Sequence, residues 1–269
     1  MTITIKFSDN IKHDYGSFEE ILKLDNYNDV VYMTCNGNKL YHLPELPNSL
    51  IELLCDSNSL SSLPKLPNSL TKLSCWYNNL SSLPELPNSL TSLHCSYSNL
   101  SSLPELPNSL KMLDCNNNNL SNLPELPDSL QNLYCSNNNL SSLPELPNSL
   151  TYLDCSDNNI SILPEFPKSL TFCWCDNNSL SSLPVLSNSL IILNCYRNNL
   201  SILPQIPNSL KNILYFDNPI HTYIKKYFDD NLKKYQDYEK QMKKKFANKI
   251  GNWFLDCKYN PKYLYCRKR

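Results

Sequence analysis

Leu83-Pro-Glu-Leu-Pro-Asn-Ser-Leu-Thr-Ser-Leu-His-Cys-Ser-Tyr-Ser-Asn-Leu-Ser-Ser102 is one unit of twenty residues, and the chain writes it ten times between Val30 and Ile220. A fixed period of this length is the signature of a solenoid, in which each unit buries its apolar side only by stacking on its neighbours. The repeat therefore decides the architecture before any propensity is considered. It describes how a surface is built and leaves open what that surface touches.

Within each unit the skeleton is Leu-x-x-Leu-x-Cys-x-x-Asn-x-Leu, as in Leu130, Leu133, Cys135, Asn138 and Leu140. The segment around Leu133 to Cys135 alternates inward and outward, as a short strand does. Cysteine suits the sixth position because it behaves as a small, readily buried hydrophobe. At the ninth position stands asparagine (Asn38, Asn58, Asn78, Asn118, Asn138, Asn158, Asn178, Asn198, Asn218). A carboxamide can both donate and accept, so stacked units predict an asparagine ladder that satisfies the backbone at a sharp turn. Ser98 interrupts that ladder and predicts a locally weaker repeat. The return path Leu-Pro-Glu-Leu-Pro cannot be a helix, because two prolines three apart fix φ and remove donors. An extended, polyproline-II-like convex side follows. With strands ~4.8 Å apart, ten units make a rod about 45 Å long.

Leu-Pro-x-Leu-Pro-x-x-Leu on this period resembles the short bacterial-effector type of leucine-rich repeat. Cysteine at the sixth position, in a chain rich in Asn, Lys and Ser, looks more like the leucine-rich repeat proteins of mimivirus-like giant DNA viruses. The closing stretch Lys249-Ile-Gly-Asn-Trp-Phe-Leu-Asp-Cys-Lys-Tyr-Asn-Pro-Lys-Tyr-Leu-Tyr-Cys-Arg-Lys-Arg269 adds to that likeness. The resemblance implies an α/β-type solenoid, with short parallel strands on a concave face and a helical C-terminal segment. It also implies a viral protein that binds other proteins in the host cytoplasm.

Composition agrees with an intracellular protein. The first residues lack the basic-then-apolar order of a signal peptide, and no apolar run approaches the roughly eighteen residues of a membrane span. Nine of the twelve cysteines recur at twenty-residue intervals from Cys35 to Cys195, a repeat position rather than a disulfide framework. Free thiols in a reducing compartment are the simplest reading. The net charge of −1 hides an asymmetry: from Pro219 onward fourteen Lys and Arg face five Asp and Glu, or +9, which leaves −10 before it.

Residues 1–29 are expected to form an N-terminal cap. Thr2 to Phe7 alternates like a strand, and Ser17-Phe-Glu-Glu20 is a capping box opening a helix through Leu24. Too little helical sequence precedes Val30 for an F-box-like adaptor. Residues 30–220 are the solenoid, and 221–269 a basic amphipathic tail. There, Ile224, Phe228, Leu232, Tyr235, Met242, Phe246, Ile250 and Trp253 keep a helical period over one or two helices from His221 to Asp256, ahead of an irregular end holding Pro261. Its lysines form either a solvated cap or a contact for an anionic surface, membrane or nucleic acid.

No catalytic constellation emerges, and no cofactor, metal or small-molecule substrate is expected. His13, His42, His94 and His221 fall in unrelated positions, so no Cys–His or Ser–His pair is supported by spacing. The ubiquitin-ligase domain of some bacterial effectors needs a segment several times longer than the one after the repeats. Cys257 and Cys266, with no histidine nearby, fall short of a zinc site. The row Glu45, Glu85, Glu105, Glu125, Glu145 and Glu165 reads as a solvated rim. The informative residues are those the repeat does not demand. Tyr134, Tyr152, Phe172, Trp174 and Tyr196, with Arg197 beside them, crowd into four consecutive units, and Trp76, Tyr97, Tyr77 and Phe216 lie on related positions. Exposed aromatics on a sheet are favoured interface anchors. These residues are the candidate partner-binding surface on the concave face.

Overall fold

The computed structural model describes residues 2–259, with side chains described through Lys249. Ile250 and Trp253 of the helical pattern, Cys257, and the end carrying Pro261 and Cys266 thus lie outside what is described of side chains or chain. The chain divides into two units, the first from Met1 to Asn218 and the second from Pro219 onward.

The first unit opens with a hairpin, β1 (Ile3–Lys6) and β2 (Lys12–Tyr15), followed by α1 (Phe18–Ile21). Ten three-residue strands come next: β3 (Tyr32–Thr34), β4 (Glu52–Leu54), β5 (Lys72–Ser74), β6 (Ser92–His94), β7 (Met112–Asp114), β8 (Asn132–Tyr134), β9 (Tyr152–Asp154), β10 (Phe172–Trp174), β11 (Ile192–Asn194) and β12 (Asn212–Leu214). Strands β3 to β12 are parallel and in register, each residue pairing with the one twenty positions on, as Leu133 pairs with Leu153. Strand β1 pairs antiparallel with both β2 and β3, so a hairpin closes the first repeat. Strand β2 escapes the sequence pattern because Lys-His-Asp-Tyr has no apolar alternation to reveal it. Helix α1 is shorter than expected, ending at Ile21 rather than Leu24. Lys23 and Leu24 donate to Glu20 and Ile21 three residues back, a tightening that ends the α-turn. Its capping box forms with one change: Ser17 Oγ accepts from Glu20 N–H at 3.3 Å, and Glu20 Oε2 accepts from Gly16 N–H at 3.0 Å.

The core is a set of columns. Leu130, Leu133, Cys135 and Leu140, with their equivalents from Leu50 to Leu200, are fully buried. Removing one such leucine is expected to cost ~2–5 kcal/mol in lost transfer energy and cavity. Burial holds the cysteine thiols well above their ordinary range, Cys35 at about 12, and several Sγ donate to the next strand's carbonyl, as Cys115 does to Tyr134 O at 3.4 Å.

The asparagine ladder forms rung by rung. Asn138 Nδ2 donates to Cys115 O (3.0 Å), Cys135 O (3.2 Å) and Ser136 O (3.1 Å), while its Oδ1 accepts from Leu120 N–H at 3.0 Å. Each carboxamide thus ties its own turn to that of the preceding unit. At the start, Asn38 exchanges bonds with Thr2 N–H and Thr2 O, so the N-terminal strand stands where a preceding repeat would be. Ser98 is too short to do this. Its Oγ is buried with no hydrogen-bond partner among the described residues.

A second ladder went unread in the sequence. Ser69 Oγ donates to Asn48 O and Leu50 O, both at 2.7 Å, and Ser109, Ser129, Ser149 and Ser169 each donate to the leucine carbonyl nineteen residues back at 2.6 Å. The leucine of each Pro-Asn-Ser-Leu donates to the proline carbonyl, closing a turn, as Leu130 does to Pro127 O at 3.0 Å. The return path between turns is neither helix nor strand.

The second unit holds α2 (Pro219–Phe228) and α3 (Leu232–Tyr259), the first opening on Pro219 rather than at His221. Proline fits a first helical position, where its missing N–H has no intrahelical acceptor. Tyr235 packs edge-on against Tyr223 and Phe228 to hold the two helices together.

Two outcomes follow for stability. Ser98→Asn is expected to raise unfolding free energy by ~1 kcal/mol and Asn138→Ala to lower it by ~3 kcal/mol, read by denaturant unfolding; no gain from the first would contradict the ladder. Of twelve thiols, the ten buried ones should resist a thiol reagent at mildly alkaline pH until the chain is unfolded.

Candidate functional site

The three-residue strands present two side chains each on the outer side of the sheet, the third and fifth positions of the repeat, with the seventh and eighth at the strand's end. The structure brings Tyr134, Tyr152, Phe172 and Trp174 into one cluster. Tyr152 is its centre: its ring lies 4.6 Å from Tyr134, 5.4 Å from Trp174 in an edge arrangement and 6.1 Å from Phe172. In-register parallel pairing causes this, because Tyr152 and Phe172 are register partners and Trp174 follows two residues after Phe172. Trp174 remains 38% exposed despite these contacts.

Tyr196 and Arg197 form a separate pair. The Arg197 guanidinium lies 4.8 Å over the Tyr196 ring and Nε sits 3.5 Å from Asp217 Oδ2. Trp76 and Tyr97 belong to a third group joined through Tyr77, whose ring is 6.1 Å from Trp76 and 6.3 Å from Tyr97. Phe216 stacks on the buried Tyr215 at 5.7 Å. The sequence grouped Tyr196 and Arg197 with the cluster by nearness in the chain. The sheet separates them because the seventh and eighth positions leave the strand.

The eighth position carries a feature that spacing does not show. Its residues adopt a left-handed backbone: Asn117, Asn137, Asp157, Asn177 and Asp217 at φ 50–53°, and also Tyr77, Tyr97 and Arg197 at φ 56°, 52° and 51°. Asparagine and aspartate tolerate this region, whereas larger side chains pay for it. Tyrosine and arginine are thus held at the sheet's edge against local preference, in the same two places as the side groups above.

Sequence reasoning also missed the carboxylates of this face. Asp114, Asp154 and Asp176 stand on the fifth and seventh positions among the rings. Asp154 Oδ1 accepts from Ser156 N–H at 3.1 Å and Ser156 Oγ at 2.6 Å. Asp176 accepts from Asn194 Nδ2 at 2.7 Å. Burial, reinforced by Asp157 and a neighbouring aspartate, raises the carboxyls of Asp154 and Asp176 above their ordinary range. Asp56, bonded to Ser74 Oγ at 2.6 Å, is raised by burial too. The Tyr134 phenol is pushed up by burial, then by Asp114 and Asp154, and the Tyr152 phenol by burial, then by Asp154. The signal was present in the same variable positions that yielded the aromatics, but it looked like ordinary polar decoration.

Among the described residues no group of three or more His, Cys, Asp or Glu is placed to hold a metal ion, and no helix is long and apolar enough to cross a membrane. The glutamate row is exposed along the return path.

No protein-family model and no curated protein matches the sequence. Solved structures do. The chain is similar to YopM from Yersinia enterocolitica WA-314, with 41% identity over 68% of this chain and 41% of that one, at a TM-score of 0.67. It is similar to YopM, a leucine-rich effector protein from Yersinia pestis, with 38% identity over 70% of this chain and 61% of that one, at 0.62. The chain thus spans less than two thirds of either Yersinia protein. A chain of the octameric complex of Latrophilin 3, Unc5D and FLRT2 (LRR) shares the fold alone, at 22% identity and a TM-score of 0.53 over 71% of this chain and 77% of that one.

The raised carboxyls give a signed expectation. A carboxyl that holds its proton more tightly in the folded chain stabilises the fold fully below the ordinary carboxylate range and loses that contribution as pH rises through its raised value. Asp154→Asn is therefore expected to raise the melting temperature at neutral pH and to shrink any gain on acidification toward about pH 4. A lower neutral-pH melting temperature for the variant would contradict this account of the face.

Proposed function

We propose that this chain, a leucine-rich repeat protein, is a non-enzymatic scaffold that holds a protein partner against the outer, concave side of its sheet. One observation carries the reading: three rings, Tyr134, Phe172 and Trp174, gather around a fourth, Tyr152, and stand part-exposed on positions that the repeat leaves free to vary. The columns and ladders behind the strands supply the fold, and the aromatic side chains lie on the other side. Rigid, amphipathic rings that lose little entropy on contact are what interfaces use as anchors. Tyr77, Tyr97 and Arg197, held in left-handed backbone at the sheet's edge, extend the same surface. Proteins of this fold do occur in assemblies, as FLRT2 does in its octameric complex with Latrophilin 3 and Unc5D.

The setting we assign is a reducing cytoplasm, supported by the buried, unpaired thiols. A viral origin is supported by the cysteine at the sixth position and the Asn-rich composition. A second reading draws on α3: Lys243, Lys244, Lys245 and Lys249 are exposed, with Phe246 56% exposed among them. A basic helix with an aromatic suits an anionic surface, and its binding would collapse between low and moderate salt.

Affinity capture from a host-cell extract, with wild type beside Trp174→Ala and Phe172→Ala, tests the first reading. Both variants should lose the partner while the unfolding free energy moves by less than ~1 kcal/mol. Capture that survives both substitutions, or vanishes only with added salt, would place binding elsewhere.

A further inference from the structure

The side chains between the rings have a pattern of their own. Along the fifth-position row, register sets Asp114 beside Tyr134, Tyr134 beside Asp154, and Asp154 beside Trp174. Carboxylate and ring alternate across four neighbouring strands. Asp157 and Asp176 lie at the strand ends of the same units. From Asn132 to Tyr196 the strand and strand-end positions of this face hold no Lys or Arg.

Asp154 and Asp176 bond only to neutral groups, and among the described residues neither forms an ion pair. Their charged neighbours are one another: Asp154 feels Asp157 and Asp114, and Asp176 feels Asp157 and Asp154. The same sheet does solve this problem elsewhere, where Lys72 Nζ sits 2.7 Å from Glu52 on the adjoining strand. Like charges without a counter-charge cost stability. Asp114 has the His94 Nδ1 3.8 Å away on the preceding strand, a counter-charge only when protonated, whereas Asp154 and Asp176, beside the part-exposed rings, have none among the described residues.

We infer that this patch takes an extended, Lys- or Arg-containing segment of a partner protein, with basic side chains lying over Tyr134 and Trp174 and pairing with Asp154. The inference rests on the reading that this face binds a protein, and it adds the chemistry of what is bound. A cation over a ring face is attracted by the ring's quadrupole, and more strongly once water is excluded. A neutral or acidic segment covering the same rings would leave Asp154 further desolvated beside Tyr152 with no counter-charge, a costly outcome. Asp114 and Asp154 are two strands apart, about 10 Å, which a polyproline-II-like segment, at ~3.1 Å per residue and three residues per turn, covers in three residues with both side chains on one face. Basic side chains three positions apart therefore meet both carboxylates.

The test uses the full chain and a fluorescein-labelled ten-residue peptide with lysines three apart in a Ser/Ala background, beside the same peptide with glutamine for lysine. Anisotropy should show the lysine peptide binding at least ~10-fold more tightly, and Asp154→Asn should weaken it ~10-fold. That variant should keep the wild-type melting temperature or exceed it. Failure of the lysine peptide to bind, equal binding of the two peptides, or indifference to Asp154→Asn would each overturn the inference. Capture of the partner from extract separates the two levels. Loss with Trp174→Ala but not with Asp154→Asn removes the charge argument and keeps the binding face; persistence in both variants removes the binding face as well.

Discussion

The hydrogen bonds of one asparagine carboxamide organise everything else in the first unit. At each turn the chain leaves carbonyls and an N–H facing an apolar interior, where an unmet polar group costs ~1–3 kcal/mol. The carboxamide meets three carbonyls with its nitrogen and the preceding unit's N–H with its oxygen. Because its partners lie in two units, the bond that closes a turn is also the bond that sets the stacking. Register, strand spacing and the alignment of the leucine and cysteine columns follow. The first rung is met by the N-terminal strand and the last by Asn218, which donates to Cys195 O, Tyr215 O and Phe216 O.

That arrangement separates the residues that build the fold from those left free to vary. Leucine, cysteine, asparagine and the turn serine occupy the inner side and the return path, and all of them are repeated. The third, fifth, seventh and eighth positions are released from that duty, so they vary. A ring cluster with interleaved carboxylates is placed on that surface, where burial raises the carboxyls of Asp154 and Asp176 above their ordinary range. Tyr77, Tyr97 and Arg197 add backbone strain at its edge.

Much of this was legible in the residues alone. The period yields the solenoid, the Leu-Cys-Asn skeleton yields the columns and ladder, and Ser98 marks the weak rung. What escaped has physical reasons. The turn serines look like punctuation in Pro-Asn-Ser-Leu, and only the stacking shows their hydroxyls reaching back nineteen residues. Strand β2 is polar throughout and gains its place by pairing with β1. The left-handed eighth position is hinted at by Asn and Asp in several units, but Tyr and Arg hide it in others. Grouping Tyr196 and Arg197 with Trp174 followed chain proximity, whereas the sheet sorts side chains by position within the repeat. The carboxylates needed the register to be seen alternating with rings.

The central claim is that each carboxamide secures the turn of the unit before it. Native-state hydrogen exchange reads this at single amides. Leu60 and Leu100 donate to Asn78 and Asn118, whereas the equivalent Leu80 amide faces the position held by Ser98. The account predicts that Leu80 exchanges at least ~10-fold faster than Leu60 and Leu100, a local loss of more than ~1 kcal/mol. Equal protection at all three amides would contradict it.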